Sequence, residues 1–103
     1  NEKAVSVLVE DCDKVEIAHS MPKIVDPEIA EATSWTLEFR LPFSVVNKYY
    51  PAAKKPQKDG SWKANLYKCA DDSSHPHWLT WSHIDHPTPK FHVPESFGTL
   101  LFE

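Results

Sequence analysis

The sequence predicts an all-β protein, either an antiparallel β-sandwich of the jelly-roll type or the C-terminal part of a larger sandwich. Two segments, 34–41 and 60–70, alternate apolar and polar residues with the period of two that marks a half-buried strand. A third segment, 77–82, is apolar or aromatic on both faces. The chain has only two glycines and no long segment with helical periodicity, so strands dominate the prediction.

Length and composition set the class of protein. The 103 residues predict a single β-sandwich domain, or a part-domain, spanning 1–103. With 41% hydrophobic and 25% charged residues, the composition is that of a globular protein rather than a disordered tail. The formal charge of -4, with no basic patch, argues against a nucleic-acid partner. No apolar run approaches the roughly 18 residues of a membrane span, so no membrane partner is expected.

The first third of the chain predicts a hairpin followed by a connection. Segments 4–9 and 14–20 are short and rich in β-branched residues, and the intervening residues 11–13 suit a turn. We therefore expect the two segments to pair. Further on, Asp26 can cap a short helical turn that has Pro27 at its first position.

Residues 34–41, SWTLEFRL, form the clearest predicted strand. Its buried face would carry Trp35, Leu37, Phe39 and Leu41. The next residue is a proline, which ends ladder pairing. Residues 43–50 then predict a helical turn with Phe43 and Val46 facing inward. The composition of residues 51–60 predicts a solvated loop that ends in an Asp-Gly turn.

The second half predicts three further strands, over 60–70, 77–82 and 97–102. In the first of these, Trp62, Ala64 and Leu66 share one face. A single core built almost wholly from strands is expected to bury these aromatic and aliphatic residues: Trp35, Leu37, Phe39, Trp62, Leu66, Phe97 and Phe102.

The two cysteines, Cys12 and Cys69, stand 57 positions apart. Two free, buried thiols are the favoured interpretation, because cysteine often serves as a small core residue. One disulfide between them is the open alternative.

The stretch 75–92 carries the chemistry that points to function. It holds five of the six histidines, two of the four tryptophans and three of the nine prolines. A sugar site needs flat apolar faces and a few convergent polar side chains, and this composition supplies both. The candidate platforms are Trp78, Trp81 and Phe91. The candidate hydrogen-bonding residues are Asn65, Glu95, His77 and His92. For Trp81 in particular, ordinary core packing is the competing interpretation.

The same stretch gives less support to metal binding and to catalysis. The spacings of His75 with His77, and of His83 with His86, would suit zinc or copper, but the histidines lack a closed ligand set. Serine and histidine that are neighbours on a strand point to opposite faces, so no triad forms. We therefore predict neither a cofactor nor an enzyme.

The C-terminal half resembles carbohydrate-binding modules of family 9, especially the family 9-like proteins of gut Bacteroidetes. Three segments carry the resemblance: GSWKANLYKCAD, HPHWLTWSHI and PKFHVPESFGTLLFE. The earlier segment SWTLEFRLPFSVV is similar to the amphipathic strand of that family. Together they extend the resemblance over residues 34–103.

The resemblance implies a two-sheet β-sandwich that binds glucan or xylan chains without catalysis, attached to a glycoside hydrolase or acting beside one. It gives Phe91 the position of the aromatic residue that stacks on the sugar ring, with His92 beside it. It also places Asn65 near a polar position of the family's binding site. It also implies an extracellular or periplasmic protein and a structural calcium whose ligands are not identified in this sequence. Complete modules are longer, so the alternative is an interaction half-domain completed by a missing N-terminal segment or by a partner chain, such as a second copy in a homodimer.

Overall fold

The computed structural model describes residues 5–103, whose regular secondary structure is mostly short strands in antiparallel pairs. The all-β prediction is confirmed. In chain order the elements are helix α1 Val9–Cys12, strands β1 Glu16–His19 and β2 Leu37–Arg40, helix α2 Phe43–Tyr49, strands β3 Ser61–Ala64, β4 Tyr67–Ala70 and β5 His77–Thr80, a 3₁₀ turn Pro94–Ser96, and strand β6 Gly98–Leu101. None of the helices within 5–103 has the length and apolar character needed to cross a membrane.

The chain divides into two units, one ending at Lys55 and the other spanning Pro56–Glu103. In the first unit, β1 pairs with β2 to form a two-stranded ribbon with Ile17 opposite Phe39. The predicted hairpin between 4–9 and 14–20 is therefore wrong. Residue 4 lies outside the described residues, residues 5–8 form no strand, and Val9 begins a helix.

A buried carboxylate joins this short helix to α2. Asp11 is only 1% exposed, and its oxygens accept hydrogen bonds from Lys14 (2.9 Å), Lys48 (2.6 Å) and the Tyr49 hydroxyl (2.7 Å). These bonds, that of Lys48 first, hold the pKa of the Asp11 carboxyl well below its usual range. The Tyr49 oxygen in turn accepts a bond from the backbone N–H of Leu8 (2.8 Å). The cluster thus ties α1 to α2.

The connection between β1 and β2 is irregular. The helical turn predicted at Asp26 is absent, and the peptide bond between Asp26 and Pro27 is cis. Residues 22–36 are all exposed, so a helix here would have no packed face to stabilise it.

The predicted burial of β2 is also wrong. Trp35 is 48% exposed, and Leu37 and Phe39 are each 56% exposed. The alternation does place Leu37 and Phe39 on one face, opposite His19 and Ile17. Two strands alone cannot bury a face, and that face stays open to solvent.

The helical turn predicted over 43–50 is confirmed as α2, which begins directly after Pro42. Val45 is its buried residue, at 7% exposure, while Phe43 and Val46 are half-buried. The prediction placed the helix correctly but missed the residue that faces furthest inward.

The second unit contains two antiparallel pairs, β3 with β6 and β4 with β5. In the first pair, Trp62 lies opposite Leu100, and both are half-buried, whereas Lys63 and Thr99 on the other face are exposed. The predicted alternation is confirmed here. The Trp62 ring also meets Phe102 edge-on, with ring centroids 5.3 Å apart.

The Asp-Gly turn predicted before β3 is confirmed. The Gly60 N–H donates to the Gln57 carbonyl (2.9 Å), and Asp59 takes a positive φ of 66°. The Asp59 N–H and the Gly60 carbonyl both bond to the backbone of Phe102, so the turn is fixed to the end of the chain.

The single strand predicted over 60–70 is interrupted at Asn65 and Leu66, and Leu66 is 51% exposed. None of the seven predicted core residues is fully buried: Trp62, Phe97 and Phe102 are half-buried, and Trp35, Leu37, Phe39 and Leu66 are exposed. All seven stay partly exposed because a two-stranded sheet has too few neighbouring strands to cover their side chains.

Both cysteines are free, as the favoured interpretation predicted. The burial expected for Cys12 and Cys69 is wrong, since both are exposed.

Candidate functional site

One face of the β4–β5 sheet carries the side chains that build the site. Tyr67 lies opposite Thr80, and Cys69 lies opposite Trp78. Directly opposed residues of an antiparallel pair share a face, so two aromatic rings, a hydroxyl and a thiol stand together on this one. Trp78 is 45% exposed, so its indole is open to a ligand.

Phe91 is brought to this face by the loop that follows β5. Its ring stacks on that of Tyr67, with centroids 4.3 Å apart and planes 12° from parallel. The Tyr67 hydroxyl donates to the Phe91 carbonyl (2.6 Å), which fixes the loop backbone as well as the ring. Phe91 is consequently half-buried rather than fully displayed.

Trp78 and Phe91 border a cleft of about 320 Å³, which we call the aromatic cleft. Its walls come from β5 and from the proline-containing loop. The lining residues are Trp78, Thr80, His83, Ile84, His86, Pro87, Thr88, Pro89, Lys90 and Phe91. This mixture of apolar surface and a few polar groups is typical of ligand sites.

A second hollow of about 220 Å³ shares Trp78, Pro89, Lys90 and Phe91 with the aromatic cleft and adds Cys69 and Asp71. Here the indole Nε1–H of Trp78 donates to Asp71 Oδ1. This bond restrains the Trp78 ring within the wall that the two hollows share.

The Cys69 thiol in the second hollow has Asp71 as its hydrogen-bond partner. Its hydrogen bond with Asp71 raises the pKa of the Cys69 thiol. A thiol whose pKa is raised stays protonated at neutral pH, and the thiolate is the reactive form.

Asn65, predicted as a hydrogen-bonding residue for the ligand, is engaged with the backbone. Its Oδ1 accepts from the N–H groups of Leu66 (2.9 Å) and Ser82 (2.8 Å), and its Nδ2 donates to the Ser82 carbonyl (3.0 Å). The side chain thus occupies the place of a ladder partner, and the strand breaks there. Asn65 thus holds the backbone of Ser82, in the segment that follows β5, by two hydrogen bonds.

Trp81 lies apart from the aromatic cleft, although it is 52% exposed. Its ring sits over Gly98 in β6, where an added Cβ would stand only 2.6 Å from the Cζ3 atom. Glycine is required here to leave room for the indole. The structure therefore places Trp81 on the β3–β6 side of this unit.

The other predicted polar residues lie outside the cleft wall. His92 and Glu95 are exposed and do not line it. His77 lies on the opposite face of β5 from Trp78, where its Nε2 meets the Lys68 ammonium and its Nδ1 donates to the His75 carbonyl (2.8 Å).

The structure adds residues that the sequence analysis did not single out. Tyr67 supports Phe91, Asp71 restrains Trp78, and Lys90 lines both hollows. The strand alternation could have placed Tyr67 beside Cys69 on one face, but only the fold of the loop shows that Phe91 packs on it. Within residues 5–103, no three His, Cys, Asp or Glu side chains are grouped so as to hold a metal ion.

The fold is that of a β-sheet module, and it carries an open cleft with aromatic walls. This chain belongs to carbohydrate-binding family 9, whose profile matches residues 1–102. The resemblance predicted from residues 34–103 is confirmed, and the match extends it through the N-terminal third.

A solved structure supports the same assignment. The chain is similar to the crystal structure, at 2.70 Å resolution, of a protein from Bacteroides uniformis ATCC 8492 that carries a provisional description as carbohydrate-binding. The TM-score is 0.77 and the sequence identity 32%. The match covers 100% of this chain and 46% of the other, so the chain spans about half of that protein. No curated protein matches the chain at a significant level.

Proposed function

We propose that this chain is a non-catalytic module that binds a glucan- or xylan-type glycan in the aromatic cleft, with Trp78 as the principal platform and Phe91 beside it. The observation that carries the proposal is the pair of rings bordering one cleft, each held by a neighbour: Trp78 by Asp71, and Phe91 by Tyr67.

Restraint of the rings matters because binding a sugar requires ordered groups on the protein. Asp71 accepts the indole N–H, so the Trp78 ring has less rotational freedom to lose when a sugar arrives. The stack on Tyr67 does the same for Phe91. Groups that are already ordered lower the entropic cost of association.

Hydrogen-bonding groups surround the rings. Thr80 and Thr88 contribute hydroxyls, and His83 and His86 contribute imidazoles, to the lining of the aromatic cleft. Hydroxyls and neutral imidazoles both donate and accept, which suits the hydroxyl groups of a sugar. An open cleft of this size accommodates a few sugar units, and the rings would stack on their C–H faces.

The test compares two exposed tryptophans in the same unit. Trp78→Ala should weaken binding of xylo- or cello-oligosaccharides by about 1–2 kcal/mol, or roughly 5- to 30-fold, as expected for a partly exposed aromatic contact. Trp81→Ala is the matched control, because Trp81 is exposed to a similar extent but does not line the cleft.

Isothermal titration of both variants and the wild type gives the answer, with circular dichroism to show that each variant is folded. Equal losses in the two variants, or unchanged affinity in Trp78→Ala, would contradict the assignment of the cleft.

A second candidate function follows from the first unit. The β1–β2 ribbon exposes an apolar face on which Ile17 is 64% exposed, and Leu37 and Phe39 are each 56% exposed. Within residues 5–103, Val45 is the one large hydrophobic side chain that is buried. Large exposed apolar faces mark interaction surfaces. Under this candidate, a missing segment or a partner chain covers the ribbon.

Sedimentation analysis tests the second candidate. If a second copy covers the ribbon, the wild type should sediment as a dimer, and Ile17→Glu on the apolar face should make it monomeric. Ala18→Glu is the matched control, since Ala18 neighbours Ile17 but shares the opposite face with Glu38. A monomeric wild type would exclude a second copy as the occupant of the ribbon.

A further inference from the structure

The aromatic cleft has an uneven distribution of charge. Of its ten lining residues, one is a lysine, Lys90, two are histidines, His83 and His86, and none is acidic. The whole chain carries 15 acidic and 11 basic residues, with a formal charge of -4. With histidine counted as neutral in both, the lining carries one positive charge, that of Lys90, and no negative charge, whereas the chain as a whole is negative. This difference predicts a preference for a negatively charged group on the ligand.

Lys90 occupies the central position in this distribution. It stands between Pro89 and Phe91, and it lines the aromatic cleft and the second hollow alike, as Trp78 does. Lys90 is exposed, and it forms no ion pair with a carboxylate of residues 5–103. Its ammonium group is thus available to a ligand that lies against the two rings.

Two further side chains near the rings, those of His86 and Asp71, are held by contacts of their own. The Nδ1 atom of His86 lies 2.9 Å from the Thr88 carbonyl and 3.2 Å from the Thr88 N–H, so the turn holds this ring in the cleft wall. Asp71, which lines only the second hollow, accepts the Trp78 indole N–H. The indole N–H is a neutral donor, so the Asp71 carboxylate keeps its charge, but Asp71 does not line the aromatic cleft.

We infer that the glycan bound in the aromatic cleft carries carboxylate groups, as a chain with uronic acid residues does, and that Lys90 pairs with one of them while Trp78 and Phe91 contact the sugar ring. This inference rests on the proposed function and narrows its ligand. Lysine is a point charge on a flexible stem, so it can reach an acidic substituent from the edge of an open cleft.

The experiment measures one ratio for each protein: the affinity for a glucuronic-acid-substituted xylo-oligosaccharide divided by that for the unsubstituted oligosaccharide of the same length. In the wild type the ratio should be about three to five at low salt, which is the scale of one exposed ion pair, and it should fall as salt is added.

Lys90→Gln should bring this ratio to about one. Lys58→Gln is the matched control, because Lys58 is an exposed lysine of the same unit that does not line the cleft, and it should keep the wild-type ratio. A wild-type ratio of one would overturn the inference, and so would a ratio that survives Lys90→Gln.

Two further outcomes separate this inference from the proposed function. If both oligosaccharides bind equally and Trp78→Ala weakens both, the proposed function stands and the acidic ligand is excluded. If neither binds, both proposals fall. A sulfated oligosaccharide that binds more tightly than the uronic acid form would overturn the assignment of a carboxylate.

Discussion

Replacing Phe91 by alanine tests how the cleft is held together, because the structure gives this ring two roles. It borders the aromatic cleft, and it stacks on Tyr67 at 4.3 Å. The variant should therefore lose stability as well as affinity. A ring that stood free on a proline-stiffened loop would contribute to affinity alone.

The magnitude of the stability loss follows from the contacts of Phe91. An aromatic stack contributes about 0.5–1.5 kcal/mol beyond the burial of surface. Full burial of a phenylalanine contributes about 1.5–3 kcal/mol, and this half-buried ring would contribute roughly half of that. The free energy of unfolding should then fall by about 1.3–3 kcal/mol, equivalent to roughly 5–24 °C in Tm. The affinity for oligosaccharide should fall by about 1–2 kcal/mol.

The assay is a denaturant titration and a sugar titration on the same preparations, extended to a double-mutant cycle of Phe91→Ala with Tyr67→Ala. The two substitutions should couple by about 0.5–1.5 kcal/mol in stability. Tyr67→Phe is the control, because it keeps the ring stack and removes only the hydroxyl bond to the Phe91 carbonyl. Unchanged stability in Phe91→Ala, or a coupling near zero, would refute the reasoning.

Two more predictions concern single contacts. Because the pKa of the Asp11 carboxyl is lowered in the folded state, its contribution to stability is present above its ordinary pKa of 3.8 and is lost as the pH falls below that value. Asp11→Asn should melt below the wild type at pH 7, with the gap narrowing towards pH 3; a gap that does not change with pH would contradict this sign. Gly98→Ala should push the Trp81 ring outward, because the new Cβ would lie 2.6 Å from Cζ3. Tryptophan fluorescence should shift to the red and stability should fall by about 1 kcal/mol, and both effects should vanish when Trp81 is first replaced by alanine.

The sequence predicted which side chains share a face of a strand more reliably than it predicted how deeply they are buried. Alternation correctly placed Trp62 and Lys63 on opposite faces of β3, and it grouped Leu37 with Phe39 in β2. It also predicted that β2 would be buried, which is wrong, because a period of two shows which side chains share a face and not what covers that face.

Side chains that bond to the backbone or to distant residues explain the other errors. The amide of Asn65 takes the place of a ladder partner and breaks a strand that its neighbours favour. Asp11 gains Lys48 and Tyr49 as partners from more than 30 residues away, and local propensity around Asp11 cannot reveal them. Of the candidate site residues, Trp78 and Phe91 meet at the cleft, while the support from Tyr67 depends on how the loop folds back.

The contacts of Asp11 have a consequence for chain connectivity in the first unit. Helix α1 and strand β1 precede the exposed segment 22–36, and strand β2 and helix α2 follow it. Two independent bridges join the flanks: the β1–β2 ladder and the bonds from Lys48 and Tyr49 to Asp11. A cut within 22–36 would sever the polypeptide but neither bridge, so the two fragments would stay associated as one nicked unit. For the same reason this segment is where the unit can accept an inserted sequence without losing its pairing.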